Sequence, residues 1–381
     1  MDYDILLDTY IKIEERLEKL DLASLWPGFS KPPYALYTDE SMCFDGELMP
    51  KPEYFYGNTA IHYDGSMIAI WMLKSEQIDT EEAIDRLTAR IVHEMFHVYQ
   101  VENGESRFPR DLELIAFPLN AELVALANRE NDLLGKYTDM MVSDEHITGT
   151  LSQKQQCRLD AISILRRISE LRSTMRSLSD GATINEWRVE TLEGRAEYVG
   201  FKALRQLNSD LAIKEIDIYM KNLREATDAM DHRGRGYHSG LLLSSLAEMA
   251  ELNLDTDFAS EKTLWELIEE QLSATGESSE YKVILTDGEL KEAHVMIDQE
   301  QRRRAEVLAS FQAKFPIEKP IKASICGYDP MNLQRVGDFL ISTSFLMINQ
   351  DGEQHRLMGE HLIRMKPGDC WEVVALYEAG A

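Results

Sequence analysis

His93-Glu94-Met95-Phe96-His97 sits inside residues 80–102, TEEAIDRLTARIVHEMFHVYQVE. Apolar side chains recur at Ile84, Leu87, Ile91, Met95 and Val98, which trace one face of a helix. Asp79 and Glu82 have capping-box spacing, so Asp79 is the expected N-cap and Gly104 the expected stop. The spacing predicts one helix over 80–102. Residues four apart share a helix face, so His93 and His97 can turn both imidazoles toward a single ion. Zinc takes such nitrogens at about 2.0–2.1 Å in a tetrahedral shell. Glu94 follows His93 by about 100° of rotation. That places its carboxylate beside the ion, where it can act as general base on a metal-polarised water whose pKa falls to about 7. In a chain with 9 histidines the five-residue pattern is expected by chance only about 0.02 times, so it carries weight.

A catalytic zinc site needs a third protein ligand and an open position. The metzincin continuation would require glycine at 100 and histidine at 103, where Gln100 and Asn103 stand. Cys43 lies upstream in Ser41-Met42-Cys43-Phe44-Asp45, which is not the Glu-Gly-Cys-Leu-Ser context of peptide deformylases. The remaining candidate is a glutamate on a second helix, and Glu186, Glu190 and Glu193 are all available. Glu193-Gly194-Arg195-Ala196-Glu197-Tyr198 resembles the Glu-Gly-x-Ala-x-Tyr context of the third ligand in gluzincins, the zinc peptidases that include thermolysin-like proteases and many aminopeptidases. The resemblance covers roughly residues 60–240. It implies Glu193 as third ligand, with Glu197 orienting a histidine ligand. It also implies close helix approach at the small residue after the ligand, and Tyr198 near the site. Glu190 and Glu186 stay open as rivals, since the pair Glu186 and Glu190 also mimics a thermolysin-like arrangement.

The long interval between His97 and Glu193 implies an inserted helical hairpin at about 111–178, followed by a glutamate helix at about 185–205. Gluzincins commonly supply an oxyanion donor from a downstream Tyr or His. Tyr237-His238-Ser239-Gly240 looks like the Tyr-x-x-Gly that opens such a helix, which implies Tyr237 first and His238 second. The residues alone read as a glycine-rich loop over 231–239, ahead of an apolar helix at Leu241–Met249. The resemblance further implies that Met67–Leu73 is a sheet edge bordering the cleft.

Upstream, Leu6, Leu7, Tyr10, Ile11, Ile13, Leu17 and Leu20 predict an amphipathic helix over 5–25, ended by Trp26-Pro27-Gly28. Short strands are expected over 33–73, with a hairpin turn at Asp64-Gly65. Residues 157–178 read as a helix rich in arginine, whose charges are expected to meet solvent or internal acids. After about 278 strands are expected at 281–285, 293–297, 339–343 and 371–376. Turns are expected at Asp287-Gly288, Asp351-Gly352 and Pro367-Gly368, and one helix at about 299–313. The expected fold class is α+β: a mainly helical zincin-like domain over 1–278 with a small N-terminal sheet, and a β-rich domain over 279–381.

Hydrophobic residues are 44% and charged residues 28% of 381, a globular composition. The formal charge of −27 repels phosphate backbones and anionic lipid, so neither nucleic acid nor membrane is an expected partner. No apolar run has the length of a membrane span. Met1-Asp2-Tyr3-Asp4 lacks a signal-like basic start. Cys43, Cys157, Cys326 and Cys370 form no CxxC pair. A reducing cytoplasm is therefore expected. The function expected from these residues is a Zn2+-dependent metallopeptidase acting on peptide or protein substrates. The alternative is a non-catalytic binding protein that retains a metallopeptidase-like lobe.

Overall fold

The computed structural model describes residues 3–74, 78, 80–142, 149–224, 230–254, 258–274 and 283–380. Helix α1 (Tyr3–Leu17) and the short α2 (Leu22–Leu25) occupy the stretch expected as one helix. Asp21 breaks it, because its side chain caps the amide of Ser24 and starts a new turn. Strands β1 (Tyr34–Tyr37), β2 (Ser41–Phe44), β3 (Glu47–Pro50), β4 (Thr59–Tyr63) and β5 (Ser66–Met72) form a sheet in the order β3-β2-β1-β5-β4. The β4–β5 hairpin turns at Asp64 and Gly65 with φ of 47° and 80°, the paired positive φ of a two-residue hairpin loop.

Strand β5 pairs with β1 on one side and β4 on the other, so Met67–Leu73 is not an edge. Its residues are apolar on both faces, which suits an inner strand. Ile68 and Ile70 join Tyr37, Met42 and Phe55 in one cluster, while Ala69, Trp71 and Leu73 join the main helical core. The edges of this sheet are β3 and β4.

Helix α3 (Glu81–Glu102) packs on that core-facing side and is buried along most of its length. Its N-cap is Thr80, whose hydroxyl accepts from the Ala83 amide; Asp79, the expected cap, lies outside the described residues. Between the two motif segments come α4 (Asp111–Leu114), α5 (Ala121–Val142) and α6 (Leu151–Leu178). Then α7 (Ile184–Val189) runs through a π-turn (Glu190–Gly194) into α8 (Arg195–Leu207), followed by α9 (Ser209–Arg224), α10 (His232–Met249) and α11 (Leu264–Ala274). The expected loop over 231–239 is therefore the start of α10. Asp231 caps it by accepting from the Gly234 amide at 3.0 Å.

The C-terminal part departs from expectation at its start. Residues 293–297 are not a strand, and Asp287-Gly288 is not a turn. Both belong to α12 (Asp287–Lys314), whose capping box pairs Thr286 with Glu289. Val283–Leu285 carry no strand, while 281, 282 and the expected boundary at 278 lie outside the described residues. The apolar residues Ala293, Met296 and Ile297 share one face of α12 and join the helical core. The far end of α12 instead packs Phe311 on Ile341 and Leu362 of the second sheet. One helix thus ties the two parts together.

Strands β6 (Ile317–Tyr328), β7 (Leu333–Val336), β8 (Phe339–Ser342), β9 (Phe345–Gln350), β10 (Glu353–Met358), β11 (His361–Met365) and β12 (Glu372–Glu378) form that sheet, antiparallel throughout, in the order β10-β9-β6-β12-β11-β8-β7. Asp351 and Gly352 make the β9–β10 turn with φ of 53° and 89°. The sheet meets the helical body where Leu112 of α4 enters its apolar cluster, and it meets the segment between β3 and β4 where Tyr56 lies 6.3 Å from Phe345. The architecture is α+β, with a small N-terminal sheet, a helical body and a β-rich C-terminal sheet. No helix among the described residues is long and apolar enough to cross a membrane.

Candidate metal centre

Helix α3 lies between the first sheet and α8, and this sandwich turns the His93 face toward the glutamate segment. The close approach to α3 occurs at Gly200, where a Cβ would stand 2.9 Å from the Ala89 carbonyl and 3.4 Å from the His93 Cβ. Gly194, directly after Glu193, serves a different contact. A Cβ on Gly194 would lie 2.5 Å from the Cα of Gly240 in α10, and one on Gly240 would lie 2.7 Å from the Glu190 carbonyl. Gly236 and Gly240, one turn apart, let α10 pass against the π-turn at backbone contact. Each mid-helix glycine costs about 0.5–1 kcal/mol of helix stability, and here the cost admits a crossing that no side chain fits.

The π-turn places Glu190 and Glu193 in separate environments. Glu193 Oε2 lies 3.1 Å from His97 Nε2 and 3.6 Å from His93 Nε2, and the two Nε2 atoms are 3.1 Å apart. In a tetrahedral shell with bonds of about 2.05 Å, ligand atoms stand about 3.3 Å from one another. The three separations bracket that value. Among the described residues His93, His97 and Glu193 are the one group of this kind able to hold a metal ion. Two imidazole nitrogens and a carboxylate oxygen suit zinc, and three protein donors leave a fourth direction open. The residues present therefore fit the ion.

The partners of these three residues fix their orientation. His93 donates through Nδ1 to Glu197 Oε2 at 2.9 Å, and the Tyr219 hydroxyl donates to the other oxygen of Glu197. His97 donates through Nδ1 to Gln100 Oε1 at 2.8 Å, and Gln100 is itself anchored by its amide on the Leu192 carbonyl at 3.0 Å. Both rings thus present Nε2 to the same point. Carboxylate or amide partners of this kind raise ligand basicity, and losing one typically costs about 10–100-fold in metal affinity. Burial alone would lower the His93 pKa, but Glu193 and Glu197 overrule it and hold the imidazole up at about 10. Burial likewise opposes charge on Glu193, yet the two histidines and Arg233 keep it well below the usual carboxylate range. Glu94 behaves oppositely. Its burial pushes the carboxyl up, against the pull of His93 and His97. Among the described residues none hydrogen-bonds the Glu94 carboxylate, which leaves it free for a water.

Glu190 and Glu186, the rival candidates, are committed elsewhere. Glu190 accepts from Arg172 at 2.7 and 2.5 Å and from the Ser239 hydroxyl at 2.7 Å. Glu186 accepts from His232 Nδ1 at 2.5 Å and from Arg235. Arg172 also donates to Glu130 at 3.0 and 2.5 Å, so the arginine-rich helix finds its acid inside the protein.

Tyr237 stands at the centre, its ring stacked 6.0 Å from His93 with an interplanar angle of 6°. Burial and the Glu193 charge raise its pKa well above the ordinary phenol value, so the hydroxyl stays protonated. His238 points to a different neighbourhood. Its ring lies 5.1 Å from that of Tyr219, and Nδ1 is buried without a hydrogen-bond partner among the described residues. Tyr198, expected near the ligands, packs on Trp26 with ring centroids 6.5 Å apart.

Three contributors escaped the sequence reading. Arg233 donates at 2.7 Å to Glu193 Oε1 and also binds Asp111. Tyr219 holds Glu197. Gln100 was the one with a readable signal, being one turn after His97 on the same face. Arg233 is four residues before Tyr237, a relation visible only once 231–239 is taken as helix. No family model, curated protein or solved structure matches the chain.

Proposed function

We propose that the chain is a zinc-dependent metallopeptidase of gluzincin type, with a zincin-like helical lobe acting on peptide or protein substrates. The observation that supports this most is the convergence of His93, His97 and Glu193 within bonding reach of one ion, with Glu94 unengaged beside them. A zinc ion held there supplies a Lewis acid and brings water ionisation toward neutral pH, where the pKa is about 7. Glu94 accepts the water's proton and later returns it to the leaving amine. Its raised pKa moves it toward the operating pH, which favours a group that must both take and give a proton. Tyr237 keeps its proton and offers it to the developing oxyanion. Glu197, Gln100 and Arg233 hold the three ligands in place. The free cysteines suit a reducing cytoplasm.

Metal removal tests the reading. Protein incubated with a denatured protein substrate is expected to cleave it. The cleavage is expected to stop with 1,10-phenanthroline and to return on adding zinc. Cleavage that continues after the metal is stripped would contradict the assignment.

A further inference from the structure

An open recess of about 520 Å³ lies between the helical body and the second sheet, bordered by the start of α10, by α12 and by β7. Its floor is apolar, with Ile115, Val307, Phe311 and Ile341. Its walls carry the guanidinium groups of Arg233, Arg303, Arg304 and Arg335 against two carboxylates, Asp231 and Glu300. Arg233 is already paired with Asp111 and Glu193, so the positive excess of the recess rests on Arg303, Arg304 and Arg335, in a chain of formal charge −27.

The two carboxylates are already occupied. Glu300 accepts from Arg303 twice at 2.7 Å and from Arg304 at 2.6 Å, and Asp231 caps α10. Arg335 makes its hydrogen bonds to uncharged partners, the Gly337 carbonyl at 3.0 Å and the Cys370 sulfur at 3.3 Å. Arg303 and Arg304 share the one carboxylate of Glu300, and Arg335 has Asp369 nearby without a hydrogen bond to it, so three guanidinium groups stand against Glu300 and Asp231 in the lining. Arg233 joins the recess to the metal centre, because the same side chain lines the cavity and binds Glu193 Oε1 at 2.7 Å.

We propose that this cavity is a substrate subsite for acidic peptides. A peptide carboxylate pairs with Arg303, Arg304 and Arg335, while a neighbouring apolar side chain covers the floor. The proposal rests on the metallopeptidase reading for its catalytic meaning and not for its binding. The net negative charge of the chain opposes the approach of such a peptide at long range. That repulsion is screened beyond about 8 Å at physiological salt, whereas contact with the guanidinium wall is not. The carboxylate comes either from an Asp or Glu side chain or from the peptide's own C-terminus.

The test is binding of fluorescein-labelled octapeptides to full-length Glu94→Gln protein, read by anisotropy at physiological salt. One peptide carries an internal Phe-Glu and an amidated C-terminus. A second has Gln for Glu. A third has Gln and a free C-terminus. A carboxylate-bearing peptide is expected to bind at least about ten-fold more tightly than the amidated Gln peptide, the scale of one hydrogen bond to a charged group. Whichever of the first and third peptides shows the preference identifies the carboxylate's source. Arg335→Gln and Arg303→Gln, each checked for an unchanged melting curve, are expected to reduce that preference. Arg335→Gln serves where Arg303→Gln perturbs Glu300, since Arg335 holds no carboxylate in a hydrogen bond. Equal binding of all three peptides, or a preference untouched by both substitutions, would overturn the proposal. Wild-type cleavage of neutral peptides without acid preference sinks the subsite alone. Acid-selective binding by a zinc-loaded wild type that cleaves nothing sinks the peptidase reading alone.

Discussion

Glu94→Gln is expected to keep its zinc and to lower peptide hydrolysis by about 10²–10⁴-fold, the usual worth of a general base. The amide has nearly the same shape and accepts no proton at neutral pH. Glu94 is not among the three converging donors, so its replacement leaves His93, His97 and Glu193 in place. Because none of the described residues hydrogen-bonds its carboxylate, the substitution breaks no packing bond. A loss of turnover with metal content unchanged, read by elemental analysis beside a peptide assay, isolates the proton-transfer role. Retained turnover would contradict that role. Loss of zinc together with turnover would show that Glu94 helps hold the metal instead.

Arg172→Met is expected to be the most destabilising single change away from the ligands. The guanidinium is fully buried, bonded to Glu130 and Glu190, and lies 4.7 Å from the ring centroid of Trp265. Its removal leaves two buried carboxylates facing each other. Arg235, 3.4 Å from Glu130, is the remaining cation of this cluster. Breaking a buried ion pair from one side costs about 3–5 kcal/mol, because the abandoned charge stays buried. The urea midpoint is expected to fall accordingly, and zinc affinity with it. Glu190 opens the π-turn that carries Glu193, so its displacement moves a ligand. A midpoint equal to that of the wild type would show that the network contributes nothing to the fold.

The motif helix was legible because its apolar spacing, its histidine pair and its glycine stop all agree, and only the cap differs. Glu197 was legible by position, one turn after Glu193, and the structure aims it at His93 Nδ1. The choice among Glu186, Glu190 and Glu193 was not settled by local sequence. It depends on Arg172, Arg235 and His232, which arrive from α6 and α10. Gly234, Gly236 and Gly240 misled the reading in a definable way. Glycine weakens an isolated helix, whereas here tertiary contact with Val189 and Glu190 requires that no Cβ be present at 236 and 240. The stretch Ala293-His294-Val295-Met296-Ile297 looked like a strand from its β-branched residues. The Thr286-x-x-Glu289 capping box and the spacing of Ala293, Met296 and Ile297 carried the opposite, correct signal. The edge role given to Met67–Leu73 failed because β1 pairs with it in parallel. Parallel pairing follows a long crossover and leaves no turn to read.

Anomalous diffraction across the zinc absorption edge, from crystals grown with zinc, tests the metal centre itself. One strong peak per chain is expected, at about 2.0–2.2 Å from His93 Nε2, His97 Nε2 and a Glu193 oxygen. A zinc peak coordinated by other residues, or no peak between these three side chains, would contradict it.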